Sequence, residues 1–228
     1  VVDSSPLSDT PRPGNAKFKK LTPVDPNSTN PYQLTEADRT VIGNTTPKFS
    51  GGFGLNATYK GFDMSMFFNF MYDFDVLNAN KIMLTTWADN KENNFLMDIA
   101  SDKRWRNFDD MGNEIRYSPE VLAEFNKNAT MWNPTSIGRP ICMSYAVEDG
   151  SFLRLNSATL GYTLPSVWTK KVGLSKVRFY VSGNNLFTLT GYSGYDPEVN
   201  IATGLTPNID YNRYPRSRTY TFGAQLTF

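Results

Sequence analysis

Five aromatic residues, Trp87, Trp105, Trp132, Tyr192 and Tyr195, lie in polar stretches from which they could stack on a ligand. A ring face offers apolar area to the flat side of a sugar, and loops are where binding groups concentrate. Packing inside their own loops is the alternative use of the same residues. Carboxylates are the second candidate chemistry. Tyr72-Asp73-Phe74-Asp75 and Asp109-Asp110 supply oxygens of the type calcium takes, but without a dense cluster at fixed spacing they read as solvated loop acids. A pair of acids across a cleft would also serve glycoside hydrolysis. Histidine is absent, which removes Ser-His-Asp and Cys-His nucleophiles and the commonest metal ligand. The single cysteine, Cys142, cannot form an intramolecular disulfide or a thiolate metal cluster, and is expected to be a small, partly buried residue. GFGLNA (52–57) matches G-x-G-x-x-A, but nucleotide-binding glycines open a helix, and these continue as strand. No cofactor, metal or catalytic residue is therefore expected.

Charge narrows the partners. Lys and Arg number 23 against 22 Asp and Glu, a net charge of +1, so no nucleic-acid partner is implied. Mean hydropathy is −0.44, and no apolar run approaches the ~18 to 20 residues of a membrane helix. Barrel strands escape that test, being short and apolar on one face only. The opening VVDSSPLSDT has neither a basic nor an apolar leader region, so a signal peptide is not visible, and the chain reads as processed or as a piece of something longer.

What must position these residues is a set of long strands. Residues 1–48 are rich in Pro, Asn and Thr and are expected to be an extracellular loop region, with Thr35 to Asp38 opening one helical turn. From there to 228, five segments alternate with period 2: about 50–60, 62–75, 151–164, 176–189 and 217–228. In the second, Phe62, Met64, Met66, Phe68, Phe70, Tyr72 and Phe74 share one face. The parity of the third slips near Asn156, as a β-bulge would make it do. SPEVLAEF (118–125) carries the signature of a short helix, with Ser118 as N-cap and Pro119 in the first turn.

Connections between the segments run short, long, short, long. A sandwich has no reason to gather its long loops at one end, whereas an outer-membrane barrel has short periplasmic turns and long extracellular loops. The terminal strand follows a long loop, which puts the C-terminus on the periplasmic side. Asp63, Ser65, Asn69, Arg178, Ser182, Asn184 and Gln225 then face the lumen. Tyr59, Tyr162 and Trp168 fall in one interfacial aromatic girdle, and Tyr72, Phe187 and Tyr192 in the other.

Several stretches, in order, carry a resemblance. VEDGSFLRLNSATLGYTLP (147–165), VRFYVSGNNLFTLTGYSGYDPEVN (177–200), YPRSRTYTFGAQLTF (214–228), RTVIGNTTPKFSGGFGLNATYKGFDMSMFFNF (39–70) and RPGNAKFKKL (12–21) resemble the C-terminal barrel of SusC/RagA-family TonB-linked outer-membrane transporters. The chain departs from that family at LTPVDPNSTNPYQLTEADRTVIG (21–43), where an acidic, glycine-containing loop is usual, and at the shortened MWNPTSIGRP (131–140).

The resemblance implies a large antiparallel transmembrane β-barrel of about 22 strands, closed round a plug. Five strands would be its last part, with the plug and the TonB-engaging segment outside this chain. It also implies uptake of oligosaccharides, or in related members peptides, with a SusD-like surface lipoprotein. The setting would be the outer membrane of a Bacteroidetes-like Gram-negative cell. Tyr220, Phe222, Leu226 and the terminal Phe228 would form the signal read by the barrel-assembly machinery. A passive porin or adhesin, or a secreted all-β carbohydrate enzyme, are the competing classes.

Overall fold

The computed structural model describes residues 13–24, 26–27, 34–86, 94–100, 102–136, 141–198 and 208–228. The chain divides into two compact units, one of residues 1–42 and 79–146, the other of residues 43–78 and 147–228.

The second unit is built on a five-stranded antiparallel sheet. Its strands are β1 (Phe49–Tyr59), β2 (Phe62–Tyr72), β5 (Phe152–Thr163), β6 (Lys176–Thr190) and β8 (Thr219–Thr227), in the order β1-β2-β5-β6-β8. Lys60 and Gly61 join β1 to β2, both at positive φ (46° and 87°), the geometry a two-residue hairpin turn demands. A smaller sheet joins β3 (Asp75–Asn78), β4 (Val147–Asp149) and β7 (Ile209–Asp210), with β3 in the middle.

Register shows that the two faces of the large sheet differ in kind. Tyr59, Phe62, Tyr162, Phe179 and Ala224 are cross-strand partners in one row. Ala57, Met64, Leu160, Val181 and Phe222 make the next, and both rows lie on the same face. On the opposite face the corresponding row is Asn56, Ser65, Thr159, Ser182 and Thr221. An extra residue in β5 at Asn156 keeps these rows aligned, because the pairing shifts between Leu155 and Ser157.

The apolar face is exposed: Phe53 is 44% accessible, Phe179 51% and Phe222 80%. Apolar area of that extent is not left to water in a soluble monomer, and the small sheet is too short to be the second layer of a sandwich. That geometry is at odds with a secreted all-β enzyme. It is the arrangement of a barrel wall, apolar outside and polar inside.

Three sequence expectations give way. The second strand stops at Tyr72 instead of running to 75, because Asp73 turns left-handed (φ 58°), a conformation Asp tolerates better than most residues. Phe74 thereby leaves the apolar face and, 3% accessible, joins Val76, Phe152 and Tyr192 in a small core. Tyr192 in turn is buried in that core and not placed in a girdle. Cys142 is exposed, and its neighbour Met143 is the buried residue.

The first unit holds α1 (Ala79–Met83), α2 (Pro119–Phe125) and short 3₁₀ turns. Asp38 pins its early part: the carboxylate accepts the backbone N–H groups of Leu21 (2.9 Å), Thr22 (2.7 Å) and Thr35 (2.8 Å). Those N–H donors, that of Thr22 foremost, hold the Asp38 carboxyl well below the usual carboxylate range.

Candidate functional site

The polar face carries all seven residues expected on the inner wall. Ser65 and Ser182 flank Thr159, Asn69 lies opposite Arg154, Arg178 opposite Gln225, and Asn184 opposite Thr219. Asp63 pairs with Arg178 from two strands away, Arg178 Nε donating to Asp63 Oδ1 at 2.9 Å. This surface is wet yet not bare of apolar groups. Phe67 lies over Gly52, where an added Cβ would come within 2.8 Å of the ring tip, so the aromatic covers backbone that glycine leaves open.

A buried charge cluster sits at the end of this face nearest the long loops. Arg154, 1% accessible, projects from β5 on the polar side. Its Nη2 donates to Asp196 Oδ1 at 2.5 Å and its Nη1 to Asn185 Oδ1 at 2.7 Å, and its Nε is 3.5 Å from Glu198 Oε2. Arg216 contacts the other Glu198 oxygen at 2.9 Å. A guanidinium out of water is tolerable only when so paired. Burial alone would raise the Asp196 carboxyl, but the hydrogen bond from Arg154 and the neighbouring charges outweigh it and leave it below its ordinary value.

The same segment is fixed a few residues earlier. Tyr192 donates its hydroxyl to Asp210 Oδ2 at 2.7 Å. Ser193 donates its backbone N–H to Glu148 Oε2 (3.0 Å) and its hydroxyl to Glu148 Oε1 (2.8 Å). Burial, with the hydrogen bond donated to Asp210, pushes the Tyr192 phenol well above its usual range.

The five candidate aromatics are thus scattered in role. Trp87 lies outside the described residues. Trp105 stacks against the backbone at Gly14, where a Cβ would meet its Nε1 at 2.7 Å. Trp132 donates its indole N–H to the Thr85 carbonyl at 3.3 Å and meets Tyr145 edge-on at 5.0 Å. Tyr192 is interior, and Tyr195 alone of the four described is fully presented, at 82% accessible. Tyr220, Phe222 and Leu226 line the apolar face of β8, with Phe228 exposed just beyond its end. Sequence reasoning missed Arg154, whose signal was a charge placed among the leucines of SFLRLN. Among the described residues, no group of three or more His, Cys, Asp or Glu side chains could hold a metal ion.

Comparison with known proteins decides what this wall belongs to. TonB-dependent receptor P3 of Formosa agariphila is 34% identical over 228 residues, covering 97% of this chain and 20% of that protein. TonB-dependent receptor SusC of Bacteroides thetaiotaomicron is 38% identical over 88 residues, 37% of this chain and 8% of its own length. The RagAB peptide importer in its open-open state superposes with a TM-score of 0.61 at 26% identity, covering 86% of this chain and 19% of the other.

The chain belongs to the SusC/RagA family of TonB-dependent receptors. No family model matches it. It spans about a fifth of the length of the first curated relative and so forms a section of a SusC/RagA barrel wall. These relatives bear the names of receptors and transporters, not enzymes.

Proposed function

We propose that the chain is the C-terminal part of an outer-membrane importer that takes up oligosaccharides, with peptides as the alternative cargo. The observation that carries this reading is the two-faced sheet: an exposed apolar side fit for lipid, and a hydroxyl- and amide-rich side fit to hydrate a passage. Among the described residues, both sheet edges, β1 and β8, have no further strand beside them. In hydrocarbon each unpaired backbone group costs several kcal/mol, so further strands of the same barrel must pair with them.

In this reading the turn at Lys60-Gly61 and the C-terminus face the periplasm, and residues 1–48 belong to the extracellular loops. A SusD-like surface lipoprotein covers the mouth. Energy arrives through TonB acting on a plug outside this chain. The lumen-facing Asp63, Ser65, Asn69, Arg178, Ser182, Asn184 and Gln225 hydrate the passage or contact the plug.

Growth on single carbon or nitrogen sources, compared between strains with and without the receptor gene and with and without TonB, tests this. Loss of growth on an oligosaccharide in both deletions is expected. Growth that needs the receptor but not TonB would point to a passive porin. Dependence confined to peptide digests would replace the cargo.

A further inference from the structure

We propose that Arg154 is a positioning residue that holds Tyr195 out from the polar face as a fixed contact for the imported ligand; this rests on the importer reading above. The segment around Tyr195 is anchored on both sides. Before it, Tyr192 is tied to Asp210 on β7 and Ser193 to Glu148 on β4. After it, Asp196 and Glu198 are held by Arg154, and Asp196 Oδ1 also accepts the backbone N–H of Glu198 at 2.9 Å. Residues 192, 196 and 197 are buried, while Tyr195 between them is 82% accessible.

Burying a guanidinium is costly unless its partners are well placed. Here that arrangement fixes a segment whose most exposed large side chain is one tyrosine. Rigid backbone under an exposed ring is what a ligand contact needs, because a tyrosine has two χ angles to order and presents both an apolar face and a hydroxyl. Arg154 points from the face lined by Ser65, Thr159 and Ser182, so the segment it holds lies on the lumen side of the wall. Two ion pairs follow Tyr195 along the segment, Arg154 with Asp196 and Arg216 with Glu198.

The test uses the full-length receptor, expressed with its lipoprotein in a strain lacking the chromosomal copy. The probe is the oligosaccharide or peptide pool on which wild-type growth depends on the receptor, supplied radiolabelled. Tyr195→Ala and Arg154→Met are each expected to raise the half-saturating concentration about three- to ten-fold, with the maximal rate near wild type. Tyr195→Phe should stay near wild type, and Arg154→Lys should restore part of the loss. Surface levels are matched by immunoblot. Hydrogen exchange on the purified receptor without cargo gives a second readout: Arg154→Met should lose protection over 192–198, and Tyr195→Ala should keep it. Unchanged exchange in Arg154→Met overturns the positioning role, and unchanged half-saturation in Tyr195→Ala overturns the contact. Uptake by wild type that persists without TonB would instead sink the importer reading.

Discussion

Arg178 on β6 and Asp63 on β2 form an ion pair across the intervening strand, over Gly161 of β5. Neighbouring strands lie ~4.8 Å apart, so the pair reaches across about twice that distance. Only a bare Cα leaves room: a Cβ at Gly161 would stand 2.6 Å from Asp63 Oδ1. Three strands are thus tied by one contact on the polar side.

Gly161→Val should displace this pair and lower the thermal unfolding midpoint of the full receptor in detergent. Asp63→Asn removes only the charge. The side chains are 20% and 35% accessible, so solvent screens the pair and its loss should cost little. The valine variant is therefore expected to be the less stable of the two. Equal midpoints for Gly161→Val and wild type would refute the glycine's steric role.

Charge placed on either face discriminates between lipid and lumen. Leu160→Arg puts a guanidinium in the row with Met64 and Val181, one row in from Tyr59 and Tyr162, and a charge on the lipid side of the wall is destabilising where the same charge on the polar side is not. Ser182→Arg, on the opposite face, should fold into vesicles at near wild-type yield. Equal yields for the two variants would contradict the assignment of faces.

How far could this have been read from the chain? The alternation of FDMSMFFNFMY is set by local pleat geometry, so both faces were legible, and the parity slip at Asn156 announced the bulge. The end of β2 was not, because it depends on one aspartate taking the left-handed conformation. Arg154 and Asp196 stand 42 residues apart, and nothing local says that they meet. Tyr192 fits an interfacial belt or a core equally well by residue type. Burial beside Phe74 and Phe152 settles it, and that follows from tertiary packing.

Tyr192 gives an alkaline signature. Its folded value is raised, so the stability it contributes is fully present below the unfolded value of about 10 and is lost as pH rises through the folded one. Phenolate absorbance of the folded receptor between pH 9 and 11 should therefore be the same for wild type and Tyr192→Phe (a pH window of about one unit either side of the unfolded value). A deficit of one phenolate in the variant would show that Tyr192 titrates normally.

Asp196 acts in the opposite range. Its folded value is lowered, so its contribution is present above the unfolded value of about 3.9 and disappears as pH falls through the folded one. Protease resistance of the 192–198 segment should hold from neutral pH to about 4 and fall below it. Asp196→Asn should be cut more readily even at neutral pH. A wild-type segment that loosens between pH 7 and 5 would point to another group (a range well above the ordinary Asp value of about 3.9).

The terminal strand carries the last prediction. Among the described residues β8 is bonded to β6 alone, and its apolar face presents Tyr220, Phe222 and Leu226, with Phe228 exposed past the last paired residue. An open edge in lipid is costly, so β8 must be closed against another strand, and until then it is the edge open to a folding factor. Deleting Phe228 should leave the wall's own packing untouched, since the side chain is 87% accessible, yet lower the receptor recovered in outer-membrane fractions several-fold. Phe228→Tyr should retain assembly, because the aromatic ring is kept. Normal outer-membrane levels of the deletion variant, at equal expression, would remove Phe228 from assembly.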